Sequence, residues 1–296
     1  MDRREFLQKS LLGLIGATAG GTILSSVAEA ATKAPARGGA KKIGLQLYSL
    51  REDMGADPAG TLKKIADIGY TELETAANYK DGLIYGYKPA ELRKMVEGLG
   101  MHVSSCHLTP GGISVLEKPD EAVAWWDKAF DDYSAAGCRY AVQSSIKAPE
   151  TLDDLKKHCE YFDRVGEMAA KKGLRFGYHN HARELNKIDG QTVYDYYLDH
   201  TSPKNVFLEM DVYWIMKGGG SPVEYLQKYA GRFPVLHIKD ESIIGESGEL
   251  DFKSIFKAAY AQGMKDYYVE IERYTQPAEI CAERSYDYLL AADFVK

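Results

Sequence analysis

The chain has 296 residues, of which 45% are hydrophobic and 27% are charged, and its formal net charge at pH 7 is −6. This composition is typical of a globular protein long enough to bury a large core, and the acidic balance argues against nucleic acid as a partner. Four cysteines are scattered without paired spacing, so neither a zinc knuckle nor a disulfide framework is indicated and free thiols are expected: Cys106, Cys138, Cys159 and Cys281.

The first segment, residues 1–30, is predicted to be an export signal. Arg3–Leu7 contains two adjacent arginines in a twin-arginine signature, Leu11–Leu24 is weakly apolar, and Ala28–Ala30 offers a small-x-small cleavage site. A transmembrane helix is the alternative, but glycines dilute the apolar run. We therefore expect export by the twin-arginine machinery to the periplasm, with residues 31–42 as a linker and 43–296 as the folded domain.

After the linker, short apolar runs alternate with stretches of helical periodicity, and the last helix is predicted over Pro277–Phe294. Several helical stretches end at a glycine, as is usual before an αβ loop. The predicted strands are Ile43–Tyr48, Tyr70–Thr75, His102–Leu108, Arg139–Ser144, Leu174–His179, Val206–Val212, Phe233–Ile238 and Tyr267–Glu272.

Eight strands alternating with helices predict an α/β protein with the (β/α)₈ fold, a TIM barrel in a single domain. A doubly wound open sheet is the competing fold. It usually carries a glycine-rich phosphate loop after its first strand, and the residues after Tyr48 contain no such loop.

Ionisable and polar residues recur at the carboxyl ends of these strands, where the active site of such a barrel lies. Paired residues two apart share a face of their strand. The set is Gln46 and Tyr48, Glu72 and Glu74, His107, His179 and His181, Glu209 and Asp211, His237 and Lys239, and Glu270 and Glu272. One such residue would be weak evidence, because a lone carboxylate often caps a helix. Carboxylate or imidazole groups at six of these seven strand ends together predict a site for a divalent cation, Mn²⁺, Co²⁺, Zn²⁺ or Mg²⁺.

Five segments resemble the sugar phosphate isomerase/epimerase superfamily, the xylose isomerase-like TIM barrels. They are Gly44–Ser49, Tyr178–His181, Met210–Val212, His237–Asp240 and Val269–Glu270. The resemblance covers the chain beyond the linker. Its motifs are characteristic of the superfamily but do not specify one reaction.

The resemblance implies one cation held by residues of the fifth to eighth strands, and three of the four ligands carry over to Asp211, His237 and Glu270. At the remaining position the family's epimerases have a catalytic glutamate, and this chain has His179. His179 is then the fourth expected ligand, with His181 beside it contacting substrate. The missing glutamate puts the two-carboxylate epimerase mechanism in doubt, and Glu272 is an alternative ligand to Glu270.

The implied activity is a metal-dependent isomerisation or epimerisation of an unphosphorylated sugar through an enediolate. Glu270, His107 or Glu74 would take the α-proton, and Lys239 would neutralise or protonate the developing oxyanion, with His181 assisting. An exported location and few basic residues at the strand ends disfavour a phosphorylated substrate. The residues expected to bind the sugar are Gln46, Tyr48, Glu184, Trp214 and Glu272.

Two other functions are left open. The first is a lyase or hydrolase acting on a keto-sugar or keto-glycoside, which the missing fifth-strand glutamate favours. The second is a non-catalytic sugar-binding barrel, which would not require acidic and imidazole groups at six strand ends. Assembly into a homo-oligomer is likewise left open.

Overall fold

Eight parallel strands close into a barrel in which β1 pairs with β8 and every other strand pairs with its neighbours in the chain. The structure, a computed structural model, describes residues 41–296, so the predicted signal and most of the linker lie outside the described residues. The barrel strands are β1 Gly44–Gln46, β2 Glu72–Thr75, β3 His102–Leu108, β4 Tyr140–Gln143, β5 Arg175–His179, β6 Val206–Asp211, β7 Val235–Lys239 and β8 Asp266–Glu270. The predicted TIM barrel is confirmed.

Within the described residues, ten α-helices connect or follow the strands and cover the outside of the barrel. They are α1 Arg51–Ala56, α2 Pro58–Ile68, α3 Pro89–Gly98, α4 Pro119–Ala136, α5 Leu152–Lys171, α6 Val193–His200, α7 Val212–Lys217, α8 Pro222–Lys228, α9 Phe252–Gln262 and α10 Ala278–Ala291. None of the helices in residues 41–296 has both the length and the apolar character needed to cross a membrane.

Two small hairpins lie in the loops after β2 and β5, and the sequence analysis did not predict them. Tyr79–Lys80 pairs with Leu83–Ile84, and Lys187–Ile188 pairs with Gln191–Thr192. Both turns are Asp-Gly pairs with positive φ, 54° and 79° in the first hairpin and 48° and 82° in the second. Asp-Gly is a strong signal for a two-residue hairpin turn, so the sequence did contain the information.

Four strands end earlier than predicted: β4 ends at Gln143, one residue before its predicted end, and the other three end just where the site begins. β1 stops at Gln46 because its side chain accepts a hydrogen bond from the backbone N–H of Tyr48 at 2.5 Å and starts the 3₁₀ helix Leu47–Leu50. β6 stops at Asp211, whose carboxylate caps α7 by accepting from the backbone N–H of Trp214 at 2.9 Å. β8 stops at Glu270, which leaves Glu272 in the following loop.

The alternation of side chains along the strands separates two regions of core. Leu236, Ile238, Val269 and Ile271 are buried in the large cluster between barrel and helices, as expected for their face of the strands. A second cluster shares the inward face with the ionisable residues and fills the barrel below them: Tyr140, Val142, Phe207, Val235 and Tyr268. The four cysteines are buried and free, which confirms that expectation.

Candidate metal centre and active site

Imidazole and carboxylate side chains from neighbouring strands converge inside the barrel at the carboxyl ends of the strands. His179 of β5, Asp211 of β6, His237 of β7 and Glu270 of β8 are all buried, and each offers a donor atom within 4.8 Å of the others. These are the four residues predicted as cation ligands. The structure thus brings the predicted set together, although the four residues are spread over more than ninety positions of the sequence.

Asp211 has the free donor atom that a cation ligand needs. Its Oδ1 caps α7, while its Oδ2 is buried without a hydrogen-bond partner and lies 4.0 Å from Nε2 of His179. The side chain of Asn180 fixes the Asp211 backbone, accepting from its N–H at 3.0 Å and donating to its carbonyl at 3.4 Å. A buried carboxylate oxygen without a partner is unfavourable, and a cation would satisfy it. Two nitrogen and two oxygen donors fit a divalent transition metal.

Burial and neighbouring charges shift the pKa values of the four donors. Burial acts to lower the pKa of His237, but Glu209 and Glu74 outweigh it and raise that pKa well above its usual value. Burial raises the pKa of Asp211 to about 7, and Lys239 only partly offsets this. Burial acts in the same direction on Glu270, but Lys239 and then His237 outweigh it and hold that pKa well below its usual range. Burial, followed by the other imidazoles, holds the pKa of His179 well below its usual range, which favours the neutral form that binds metals.

The ammonium group of Lys239 forms ion pairs with two carboxylates at the cluster. Its side chain is buried, and Nζ lies 3.0 Å from Oε2 of Glu270 and 2.8 Å from Oε1 of Glu272. Nζ also lies 4.9 Å from the centre of the Trp214 ring. Glu209 also projects inward from a barrel strand, but it pairs with His107 and not with Lys239.

A cavity of about 440 Å³ opens above the cluster. Its size is suited to a small molecule of the size of a monosaccharide. Of the residues predicted to act on or bind a substrate, those that line it are Gln46, Tyr48, His107, His179, His181, Trp214, Glu270 and Glu272. Ser144, Ser145 and Arg183 also line it. The sequence analysis passed over the two serines, although their position directly after a buried strand was a usable signal.

Other predicted residues lie beneath or beside the cavity. Glu74 and Lys239 contact residues of the cluster and do not line the cavity. Glu184, which was predicted to bind substrate, does not line the cavity. Its carboxylate accepts hydrogen bonds from the Tyr178 hydroxyl at 2.7 Å, the His181 backbone N–H at 2.8 Å and Nε of Arg183 at 3.0 Å. These contacts connect Glu184 to the backbone of His181.

A closed parallel barrel whose buried ionisable residues gather at the carboxyl ends of its strands is the arrangement of TIM-barrel enzymes. Residues 62–291 match the family described as Xylose isomerase-like TIM barrel, and the chain therefore belongs to that family.

Two solved structures and one relative are similar to this chain. A sugar phosphate isomerase/epimerase from Parabacteroides distasonis has 36% sequence identity and a TM-score of 0.83, covering 88% of this chain and 99% of that one. An inosose dehydratase from Geobacillus kaustophilus is 24% identical over 200 residues, 60% of each protein. A D-psicose 3-epimerase from Clostridium cellulolyticum, at 16% identity and a TM-score of 0.65, covers 83% of this chain and 97% of that one and shows the shared fold alone.

Proposed function

We propose that the protein is a divalent-cation-dependent lyase that removes, or in reverse adds, a substituent on the β-carbon, two bonds from the ketone carbon, of an unphosphorylated keto-sugar. The observation that carries this proposal is the composition of the cavity wall. The two carboxylates that line the cavity, Glu270 and Glu272, come from β8 and the loop after it, whereas β5 contributes His179 and no carboxylate. Epimerisation by two carboxylates needs one on each face of the sugar, whereas elimination needs only one group that takes and returns a proton.

His181 is the group best placed to move that proton. It lines the cavity, its Nδ1 is buried without a hydrogen-bond partner, and its ring centre lies 5.0 Å from that of His179. In the proposed reaction the imidazole takes the proton from the carbon next to the ketone, and the C–H electrons form the enolate. The C–O bond of the β-substituent then breaks, and the leaving oxygen receives the proton from His181 as water or alcohol.

A divalent cation held by His179, Asp211, His237 and Glu270 would supply positive charge to the ketone oxygen as the enolate forms. Lys239 keeps the carboxylates of Glu270 and Glu272 in place through its two ion pairs. With its ring 42% exposed at the cavity rim, Tyr48 offers an apolar face for a sugar ring.

The cavity wall also supports an unphosphorylated substrate. Among the described residues, Arg183 is the one lysine or arginine that lines the cavity. Its guanidinium already donates to Glu184, to the Ser145 hydroxyl at 3.2 Å and to the carbonyl of Ile146 at 3.1 Å. Two glutamates, Glu270 and Glu272, face the same cavity and would repel a phosphate.

The reaction is tested by incubating the Mn²⁺-loaded protein with 2-keto-myo-inositol and with methyl 3-keto-glucoside in deuterated water. The expected result is an unsaturated ketone with release of water or methanol. Substituting His181→Ala should lower the rate by at least about 10²-fold, the usual contribution of general acid–base catalysis, while cation affinity stays unchanged. His200→Ala is the matched control, because His200 is exposed and stacks on Tyr196 away from the cavity. Full activity of His181→Ala would contradict the assignment.

An isomerase or epimerase is the second candidate, and the 36%-identical relative described as a sugar phosphate isomerase/epimerase favours it. The same experiment separates the two. Deuterium entering the α-carbon with interconversion of stereoisomers, and with no released water or methanol, would support this second candidate. Recovery of bound sugar unchanged from a protein that holds no cation would instead support a non-catalytic binding barrel.

The proposal includes export to the periplasm through the leader, which motivates the choice of an unphosphorylated substrate. Replacing both arginines of the twin-arginine signature, Arg3→Lys with Arg4→Lys, should leave the precursor in the cytoplasmic fraction. Unchanged recovery of the variant from the periplasm would contradict this route.

A further inference from the structure

A second group of ionisable side chains, the lower group, packs against the candidate metal centre, and of its three members only His107 lines the cavity. Glu74 of β2 and Glu209 of β6 are both 0% exposed, and His107 of β3 is 5% exposed. The sequence analysis considered Glu74 and His107 as bases, but the carboxylate of Glu74 is enclosed by the Ser105 hydroxyl at 2.6 Å and by two imidazoles. Neither glutamate lines the cavity, so neither reaches a substrate there.

His179 and His237 are shared between this lower group and the candidate metal centre, and each turns one ring nitrogen to each side. For His237, Nε2 lies 2.6 Å from Oε2 of Glu74, while Nδ1 lies 3.4 Å from Oε2 of Glu270. For His179, Nδ1 lies 3.3 Å from Oε2 of Glu209, while Nε2 lies 4.0 Å from Oδ2 of Asp211. Thus Glu74 faces Nε2 of His237, whereas Glu209 faces Nδ1 of His179.

An imidazole that binds a cation through one nitrogen carries its N–H on the other, and that N–H usually donates to a carboxylate. Glu74 and Glu209 stand at those second nitrogens. We infer that Glu74 and Glu209 are positioning residues that fix the tautomers of His237 and His179, leaving Nδ1 of His237 and Nε2 of His179 free for the cation. The inference rests on the cation site of the proposed function.

His107 completes this arrangement by holding the two glutamates together. Its Nε2 lies 2.6 Å from Oε2 of Glu209 and 3.1 Å from Oε2 of Glu74. Its ring is stacked on that of His237 with centres 4.8 Å apart and packs against His179 at 4.7 Å. Packing therefore restricts rotation of both ligand rings, and the contact with Glu74 restricts that of His237 further.

A buried ring nitrogen supports the pairing between Glu209 and His179. Nδ1 of His179 is buried without a hydrogen-bond partner and lies 3.3 Å from Oε2 of Glu209. A proton on Nδ1 would let this nitrogen donate to the carboxylate, which satisfies it. This places the N–H of His179 on Nδ1 and points Nε2 toward Asp211.

The direct test is NMR of the Zn²⁺-loaded full-length protein labelled with ¹⁵N at the histidine ring nitrogens. Zn²⁺ is the probe because it is diamagnetic. The expected spectrum shows opposite tautomers at the two ligands: N–H at Nδ1 for His179 and at Nε2 for His237. Finding the proton on the other nitrogen of either ring would overturn the inference, as would binding of two Zn²⁺ ions per chain with imidazoles bridging them.

Cation affinity provides a second readout that does not depend on any reaction. Calorimetric titration should give a Zn²⁺ dissociation constant that is 10- to 100-fold weaker for Glu209→Gln and Glu74→Gln, as is usual for partners of metal-binding histidines. The matched control is Glu72→Gln. Glu72 lies on the same strand as Glu74, but pairs with Arg139 and Lys42. Equal affinity in all three variants and the wild type would overturn the inference.

The proposed lyase activity and the proposed role of Glu74 and Glu209 can be refuted by different results. Zn²⁺ binding with the expected tautomers, together with a reaction other than elimination, would leave this inference standing and remove the proposed lyase activity. If the protein binds no cation, this inference is overturned together with the cation site. Should Glu209→Gln fail to fold, as judged by circular dichroism, the tautomers of the wild-type protein still decide the outcome.

Discussion

Replacing Lys239 by methionine should destabilise the cation-free protein strongly, because it removes the buried positive charge from between two carboxylates. Nζ of Lys239 lies 3.0 Å from Oε2 of Glu270, and both side chains are at least 95% buried. At that distance an effective dielectric constant of about 20 gives a gross attraction of about 5–6 kcal/mol. Desolvation of the two charges offsets part of it.

Methionine keeps the length of the side chain, so the loss reflects the charge. Removing one partner of a buried ion pair destabilises a protein by about 3–5 kcal/mol. The side chain of Glu272 is 30% exposed, so its pair with Lys239 adds at most about 1 kcal/mol. We expect the free energy of unfolding in EDTA to fall by about 3–5 kcal/mol and Tm to fall by about 10 °C.

Added Mn²⁺ should reduce this deficit, because the cation supplies positive charge to the same carboxylates. We expect the deficit to shrink by at least about 1.4 kcal/mol at saturating Mn²⁺, which corresponds to tenfold tighter binding by the variant. Urea unfolding followed by circular dichroism, with EDTA or with Mn²⁺, measures both quantities. The control Lys63→Met removes an exposed pair with Asp67 and should change stability by less than about 1 kcal/mol. A deficit of equal size with and without Mn²⁺ would refute the reasoning.

Two further predictions concern the scaffold. Burial lowers the pKa of His158 to about 4, and its Nδ1 lies 2.8 Å from the Tyr197 hydroxyl. Between pH 6.5, the ordinary pKa of histidine, and pH 4 the unfolded chain therefore binds more protons than the folded protein. Stability decreases as the pH is lowered through this range. Urea unfolding should show a loss of about 2 kcal/mol from this group between about pH 7.5 and pH 5; an unchanged pH slope in His158→Gln would count against it. Gly44→Ala would place a Cβ 2.5 Å from the carbonyl oxygen of Tyr267, whereas Gly55→Ala in α1 meets nothing within 4 Å. Thermal unfolding should show Gly44→Ala destabilised by about 1–3 kcal/mol and Gly55→Ala stabilised by up to about 1 kcal/mol; equal Tm values would show that the close approach at Gly44 is relaxed at no cost.

The sequence predicted the barrel because its signals are local. Each strand is a short apolar run, and the spacing by two of His237 with Lys239, or of Glu270 with Glu272, marks the inward face wherever the strand pairs. Once eight such strands close, their carboxyl ends must meet. The convergence of His179, Asp211, His237 and Glu270 therefore follows from topology, without knowledge of any side-chain conformation.

The sequence did not predict how the converging groups divide their hydrogen bonds. Glu209 lies two residues before Asp211 on the same face, yet it pairs with His107 across the barrel. Whether Lys239 pairs with Glu209 or with Glu270 depends on the stagger between adjacent strands. In the structure Lys239 lies opposite Glu270 on the neighbouring strand, and the two side chains therefore pair. The sequence likewise did not predict the surroundings of Glu184, because its carboxylate is hydrogen-bonded within a local turn by Tyr178 and Arg183.

The central claim is that one divalent cation is bound by His179, Asp211, His237 and Glu270. Crystals of the Mn²⁺-loaded protein, with diffraction data collected at the manganese absorption edge, test it most directly. We expect one strong anomalous peak within about 2.0–2.3 Å of Nε2 of His179, Nδ1 of His237 and oxygens of the two carboxylates. A strongest peak that contacts fewer than three of these four side chains, or no peak in the barrel, would contradict it.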